Sequence, residues 1–413
     1  MTISTAVLQR IDTACTGLIE ARDDLHHQLR ALQREQGRNA PKPQDDERFK
    51  EALLSFLQSI ATIALSQIPP RDGIAVAFGE GRYTGGLSPT ALRQVRDAMV
   101  ALEYVVVGKW SHNKDDRNKG RFTRIRHTEK LTLLLRSYGV RLADVAKPPV
   151  DVVRLSRPKT DVMPGEIAAS GEVVRRYNAY IAEFDLSLPQ EGWHDLFHLV
   201  IKGGSNGKGD RLDRGYSDGR IYLWRGFAED YSRGGRCYGQ VQQNMPKSIR
   251  KRLLINGKAT IELDFSRIHP TIIFAEKGIA LDLDPYAVPG YEGMEEAGKE
   301  TFNRLLNSRR KIRFRSREDR QWFSDKFSFN DYRDAMIAHL SAISDTFQKD
   351  YGARLQKRDS ELALNVIQRC MDSGLPVYPV HDSFITTIDN RSELEHIMRE
   401  EFFDMFGVHC LIK

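Results

Sequence analysis

The stretch KATIELDFSRIHPTII, residues 258–273, carries the pattern that decides the fold. Three apolar residues alternate with Glu262 and Asp264, which predicts a strand with one apolar face and one acidic face. The segment SRIHPTIIF that follows predicts a turn and then a helix. An aspartate at the end of a buried strand, directly before a helix, is a metal-ligand arrangement. The sequence therefore predicts an α+β fold in which Asp264 binds a metal ion.

A second acidic position lies far along the chain, in PVYPVHDSFITTI, residues 376–388. Aspartate is a poor strand residue and is rarely buried without a partner, yet Asp382 stands among apolar, β-forming residues. A hairpin whose turn presents His381 and Asp382 explains this pattern, and so does a metal site shared with Asp264. Two carboxylates without a Cys or His cluster favour Mg²⁺, which takes oxygen ligands. We expect two Mg²⁺ ions, with Mn²⁺ as an alternative.

Both stretches resemble motifs of nucleic-acid polymerases with a right-hand palm. ELDFSRIHPTII is similar to motif A of family A DNA polymerases at its start and to the family B pattern at its end. VHDSF resembles motif C of family A DNA polymerases and, more closely, of single-subunit phage RNA polymerases. The segment GGRCYGQVQQNMPKSIRKRLLINGKATIELD, residues 234–264, resembles the family A stretch that leads into motif A.

The resemblance implies a palm with compact helical fingers and assigns roles to individual residues. Asp264 and Asp382, with the main-chain carbonyl of Phe265, would hold two ions that activate an attacking 3′-oxygen and stabilise the leaving pyrophosphate. Arg236 would contact the minor groove of the primer–template. His381, in motif C, would contact nucleic acid.

His269 stands five residues after Asp264, where these families place the residue that packs against the ribose 2′ position. We expect the bulky imidazole to exclude ribonucleotides, which favours DNA synthesis. The alternative is that the imidazole hydrogen-bonds a 2′-hydroxyl, which would favour NTPs.

The segment GMEEAGKETFNRLLNSRRKIRFRSR, residues 293–317, is the candidate fingers helix. The resemblance implies a catalytic lysine that binds the triphosphate, and Lys299 fits this role. Its LLNS end is similar to family B, which leaves open whether Lys299 or Arg304 binds the phosphates. The nucleotide-binding candidates on this helix are Lys299, Asn303, Arg304 and Asn307. We expect the basic run that follows, including Arg309 and Arg310, to contact template or triphosphate.

The N-terminal region has the order helix, strand, basic loop, strand. LSPTALRQVRDAMVALEYVVV, residues 87–107, begins with the N-cap Ser88, and FTRIRHT, residues 122–128, supplies the return strand. The region resembles winged-helix domains of plasmid and phage replication initiators, although a protein-binding winged helix has the same pattern. The residues expected to face phosphate are Arg93, Arg96, Lys109, Lys114, Arg117, Lys119 and Arg121.

Composition sets the wider bounds. The 413 residues carry a formal net charge of +6, which suits a polyanionic partner. The four scattered cysteines predict free thiols in a reducing compartment and no zinc cluster. No apolar run is long enough to span a bilayer, so we expect a cytoplasmic protein of a bacterium or phage-infected cell, with no membrane partner.

The predicted domains are a helical segment with linker at 1–46, a winged-helix-like domain at 47–145, a linker at 146–165 and a polymerase core at 166–413. Within that core the predicted parts are motif A at about 260–275, fingers at about 290–330 and motif C at about 376–388.

We therefore expect a template-directed nucleotidyltransferase, a DNA polymerase of a plasmid, phage or integrated element. Its partners would be dNTPs and a DNA primer–template or single-stranded template. One alternative is a single-subunit RNA polymerase or primase that uses NTPs, which VHDSF favours. The other is a non-catalytic DNA-binding replication initiator, which the basic N-terminal region favours.

Overall fold

The fold of the chain mixes helices and sheets. Among the residues that the structure describes, no helix is both long and apolar enough to cross a membrane. The four cysteines are free thiols, as predicted. The computed structural model describes residues 14–37, 39–65, 74–76, 87–108, 123–146, 149–160, 162–189 and 221–413.

The helices and strands of these residues are numbered in chain order. The helices are α1 Thr16–Glu35, α2 Pro43–Ala64, α3 Pro89–Ala101, α4 Glu129–Ser137, α5 Leu142–Val145, α6 Gly165–Ile181, α7 Lys247–Arg250, α8 Ile268–Glu276, α9 Glu295–Asn307, α10 Lys326–His339, α11 Gly352–Asp372 and α12 Arg391–Phe406. The strands are β1 Ile74–Val76, β2 Val105–Gly108, β3 Thr123–His127, β4 Val153–Ser156, β5 Leu186–Ser187, β6 Trp224–Ala228, β7 Arg233–Tyr238, β8 Leu254–Ile255, β9 Lys258–Ser266, β10 Tyr378–Val380, β11 Ser383–Thr387 and β12 Leu411–Ile412.

The first of two compact units is mainly helical. Its core joins the apolar faces of α1 to α4, so that Leu25 of α1 and Phe56 of α2 are both fully buried in one cluster. Strands β1, β3 and β2 form an antiparallel sheet in that order, and β5 pairs with β8. The unit comprises the described residues of Met1–Pro149, Ala182–Tyr222 and Gly239–Gly257.

Helix α3 begins where the sequence predicted. The Ser88 hydroxyl accepts a hydrogen bond from the Ala91 N–H, and Pro89 occupies the first turn, so the helix start is capped. Leu92, Val95 and Met99 are buried on one face, as the apolar spacing indicated. The predicted wing falls outside the described residues, and with it Lys109, Lys114, Arg117, Lys119 and Arg121.

The second unit contains two sheets. In one, β4 runs parallel to β6, and β6 runs antiparallel to β7. In the other, β9 lies between β11 and β12, and β10 pairs with the outer edge of β11. The unit comprises the described residues of Val150–Ile181, Leu223–Tyr238 and Lys258–Lys413.

The predicted apolar face of β9 forms the core of this second sheet. Leu263 and Phe265 are buried, whereas Glu262 and Asp264 are half-buried on the opposite face. The Phe265 ring packs edge-on against Phe384 of β11, with ring centroids 6.4 Å apart. The alternation of apolar and acidic residues therefore gives the strand one packed face and one accessible face.

The unit borders differ from the predicted domains. Residues 146–165 were predicted to be a linker, but β4 lies there and pairs with β6, which is about 70 residues later. Likewise, α1 is part of the first core and is not a separate segment. The chain also returns to the first unit within the predicted polymerase core. Proline-rich composition identifies irregular backbone, but it does not reveal a distant strand partner.

Candidate active site

Strands β9 and β11 bring the two predicted acidic positions together. They pair antiparallel, with Ser383 opposite Asp264. Asp382 directly precedes Ser383, so it lies beside the end of β9. The Phe265 N–H donates to the Asp382 carbonyl oxygen over 3.4 Å, which connects the two acidic positions through the main chain. The edge formed by Asp264, Phe265 and Asp382 is called the acidic edge below.

The opposite side of β9 is fixed by the last residues of the chain. Asp264 and Lys413 exchange two backbone hydrogen bonds, each 3.0 Å long. In an antiparallel strand the N–H and C=O of one residue point to the same side. Those of Asp264 therefore face Lys413, and those of Phe265 face Asp382. The Phe265 carbonyl is thus directed toward the side where Asp382 lies, which its predicted role as a ligand requires.

Two bends of left-handed backbone flank the acidic edge. Arg267 has φ 60° just before α8, and His381 has φ 62° in the turn between β10 and β11. Such conformations cost on the order of 1–3 kcal/mol for a residue other than glycine and persist where surrounding contacts enforce them. The contacts here are an ion pair of Arg267 with Asp284 and an edge-on contact of the His381 ring with Tyr238. These bends set where Asp264 and Asp382 stand.

The donors at the acidic edge suit a hard cation. Asp264 and Asp382 contribute carboxylates, and Phe265 contributes a carbonyl oxygen, which are the ligands that Mg²⁺ prefers. Within the described part of the chain, no group of three or more His, Cys, Asp or Glu side chains is placed to hold a metal.

The residues predicted to contact sugar and primer–template converge on a buried carboxylate. Asp359 of α11 accepts hydrogen bonds from Arg236 Nη2 at 2.5 Å and from His269 Nε2 at 2.9 Å. The Arg236 Nε atom also lies 3.3 Å from the second carboxylate oxygen. Burial acts to lower the pKa of Arg236, but the hydrogen bond to Asp359 and the charges of Asp359 and Asp382 raise it overall. The guanidinium is therefore a permanent cation close to the acidic edge.

Strand β7 places Arg236 and Tyr238 on one face, and the Tyr238 ring contacts His381. Arg236 and Tyr238 are two residues apart, and the Tyr238 ring lies 5.8 Å from that of His381. The preceding Gly235 has φ 89°, and a Cβ atom there would lie 2.7 Å from the Phe227 ring. Only glycine fits this position, because both the backbone conformation and the close approach exclude a side chain.

Helix α9 carries the predicted nucleotide-binding residues. Its apolar face is buried through Phe302 and Leu305, and Lys299, Asn303 and Asn307 are exposed on the other side, as their spacing indicated. These three side chains line a cavity of about 940 Å³, called the basic cavity below. Further lining residues are Arg304, Arg309, Arg310, Lys311, Arg313 and Arg315.

Ion pairs distinguish the cations of the basic cavity from one another. Arg304 donates to Asp319, which is 1% exposed, at 2.6 Å and also to the Arg313 carbonyl, so its guanidinium holds the fold together. Arg309 pairs with Asp350 at 2.7 Å but stays exposed. Lys299 is exposed on the cavity wall, where a triphosphate could reach it. Arg304 thus has a carboxylate partner within the fold, whereas Lys299 is exposed on the cavity wall.

Sequence patterns did not identify Asp319 or Asp359 as important. For Asp359 a signal existed, because it occupies an apolar-face position of α11, four residues after Leu355 and three before Leu362. An acidic residue in such a place indicates a buried partner. Asp319 follows a stretch without regular structure, and no periodic pattern marks it.

Comparisons with known proteins found little. No protein-family model matches the chain, and no curated protein sequence matches it. A solved structure that matches is the POL domain of Pol1 from M. smegmatis in complex with DNA primer-template and dNTP. The two chains are 16% identical with a TM-score of 0.35, and the match covers 53% of this chain and 54% of that chain. This chain thus spans about half the length of that structure, and the function proposed next rests on its own residues.

Proposed function

We propose that this chain is a template-directed nucleotidyltransferase, a DNA polymerase of a mobile element that adds dNTPs to a 3′ end. The observation that carries the proposal is the pairing of β9 with β11, which brings Asp264 and Asp382 to one edge. The two carboxylates and the Phe265 carbonyl would hold two Mg²⁺ ions. When bound, these ions would favour the 3′-oxygen as nucleophile and stabilise charge on the leaving pyrophosphate.

The remaining residues bind and orient the substrates in this proposal. Lys299, with Asn303 and Asn307, binds the triphosphate from α9, because its ammonium group is exposed on the basic cavity. Arg309 and Arg310 contact template or triphosphate. Catalysis by such a site is mostly positioning and charge stabilisation, because phosphoryl transfer demands little covalent chemistry from the protein.

Each unit offers its own residues for nucleic-acid contact in this proposal. In the second unit, Arg236 and His381 contact the primer–template close to the acidic edge. In the first unit, Arg93 and Arg96 of α3 and the predicted wing contact phosphates. The element order α2, β1, α3, β2, β3 with sheet order β1–β3–β2 supports a winged helix in this role.

His269 is proposed to act at the sugar of the incoming nucleotide. Steric exclusion of the 2′-hydroxyl makes dNTPs the substrate. The RNA polymerase or primase alternative has one observation in its favour, since His269 is a hydrogen-bonded imidazole whose second nitrogen can meet a hydroxyl. The basic first unit favours the replication initiator, in which the palm only holds nucleic acid.

Extension of a labelled primer on a longer template tests these three functions together. With Mg²⁺ present, extension by dNTPs alone supports the DNA polymerase, and extension by NTPs supports the RNA polymerase or primase. Binding without extension by either class supports the initiator. Asp264→Asn protein purified in parallel controls for a contaminating polymerase, and it should lose the activity.

A further inference from the structure

Asp359 holds two predicted substrate-binding residues from separate parts of the chain. Arg236 comes from β7 and His269 from α8, and both donate to the same carboxylate. Asp359 is 3% exposed, whereas each of its partners is 19% exposed. The carboxylate is therefore sealed inside the protein while both partners reach the surface.

The chemistry of this contact fixes the proton on the imidazole. A carboxylate next to a guanidinium can only accept hydrogen bonds, so His269 Nε2 must carry a hydrogen. In the neutral ring Nδ1 then has a free lone pair and acts as an acceptor. Arg236 alone is enough to neutralise the charge of Asp359, so charge balance does not require His269. The added bond to His269 sets the ring's orientation and its tautomer.

We propose that Asp359 is a positioning residue for nucleotide selection, an inference that rests on the proposed function. It fixes the orientation of the His269 ring beside the sugar, where the ring excludes a 2′-hydroxyl, and through the same carboxylate it orients Arg236 toward the primer–template. Discrimination between deoxyribose and ribose and affinity for the primer–template therefore depend on one buried group.

Replacing Asp359 by asparagine separates this role from simple packing. The amide has the same shape, but it offers one acceptor and one donor group to two partners that both donate. Arg236 Nη2 and His269 Nε2 both contact the Oδ2 atom, and Arg236 Nε lies 3.3 Å from Oδ1. Whichever of the two positions the amide nitrogen takes, it faces a group that donates. The bond between the imidazole and residue 359 is no longer charge-assisted. The ring is then held less firmly.

Single-nucleotide incorporation of dATP and of ATP opposite template thymine measures the consequence. In Asp359→Asn we expect the ratio of kcat/KM for dATP to that for ATP to fall about tenfold, because a hydrogen bond to a charged group is lost. The Kd for primer–template should rise as well, while kcat for dATP changes less than KM. The matched control is Asp372→Asn on the exposed end of α11, where the carboxylate pairs with Arg176. It should leave both ratio and Kd unchanged.

Two outcomes overturn the proposal in distinguishable ways. Wild-type protein that incorporates neither nucleotide overturns the proposed function and this inference together. An active wild type whose Asp359→Asn variant folds and keeps the sugar ratio within twofold overturns the inference alone, and Asp359 is then a packing residue.

The tautomer of His269 can be measured without any reaction. In protein with ¹⁵N-labelled histidine, NMR should show the proton of His269 on Nε2, and the signal is assigned by its loss in His269→Gln. A wild-type proton on Nδ1 overturns the proposal, and this measurement decides the question even where Asp359→Asn fails to fold.

Discussion

Two pairs of aspartates in the second unit are buried to different extents. Asp319 and Asp359 are almost completely buried, and an arginine side chain binds each of them. Asp264 and Asp382 are half-buried, and their positions are set by the backbone of β9 and of the β10–β11 turn. A buried carboxylate with an arginine partner orients protein groups. A half-buried carboxylate stays accessible to a ligand.

The difference follows from the cost of burying charge. An ionised carboxylate loses its water on burial, and only a close cation and further hydrogen bonds compensate for that loss. Asp319 therefore has Arg304 on one oxygen and the Arg315 N–H, 2.7 Å away, on the other. At the acidic edge no such burial occurs.

The largest expected effect on stability separates the two pairs directly. Asp319→Ala and Asp359→Ala should each lower the free energy of unfolding by about 3 kcal/mol, because each leaves a partly buried arginine without its carboxylate partner. Asp264→Ala and Asp382→Ala should change it by less than about 1 kcal/mol, since both carboxylates are only half-buried. Denaturant unfolding of the four variants measures this. Equal losses in both pairs would mean that the acidic edge is structural.

A smaller effect is expected within the basic cavity. Lys299→Gln should raise KM for the nucleotide about 10- to 100-fold, the value of a hydrogen bond to a charged group, while the melting temperature stays unchanged. Arg304→Gln should mainly lower the melting temperature, because Asp319 loses its partner, while the KM for the nucleotide changes less than in Lys299→Gln. Steady-state kinetics and thermal unfolding of both variants measure the contrast. Lys326→Gln, exposed on α10, is the control. A nucleotide KM unaffected by Lys299→Gln would remove this residue from the site.

The smallest effect concerns the first unit. Arg93→Gln and Arg96→Gln should each weaken binding to duplex DNA a few-fold and reduce the slope of log K against log salt by about 0.9, the value for one phosphate contact. Arg136→Gln on the exposed side of α4 is the matched control. Fluorescence anisotropy at several salt concentrations measures both quantities. An unchanged slope would make this unit a protein-binding module.

Local sequence patterns predicted the elements that carry the acidic edge. The alternation around Asp264 gave β9, and the apolar run around Asp382 gave the β10–β11 hairpin, because two-residue periodicity reflects which face of a strand is buried. The pairing of Asp264 with Asp382 could be proposed because both patterns placed a carboxylate where a strand ends. The spacing of Lys299, Asn303 and Asn307 likewise gave one exposed helix face.

Long-range contacts were beyond such patterns. That Arg304 serves Asp319, and that His269 and Arg236 share Asp359, depends on which segments pack together in three dimensions. The same holds for β4, which lies in a stretch predicted to be a linker and pairs with a strand far along the chain. Periodicity describes one element at a time. It therefore identifies candidate cationic side chains, but not the carboxylates with which they pair.

The central claim is that Asp264 and Asp382 act as one site. Single-turnover incorporation of a correct dNTP by Asp264→Asn, Asp382→Asn and the double variant tests it, with Asp389→Asn, exposed and paired with Lys258, as the control. Each single variant should lose a factor on the order of 10³ or more, because the transition-state charge is no longer stabilised. The double variant should be little worse than either single variant, as for residues that act as a unit. Incorporation within tenfold of wild type in either single variant would contradict the claim.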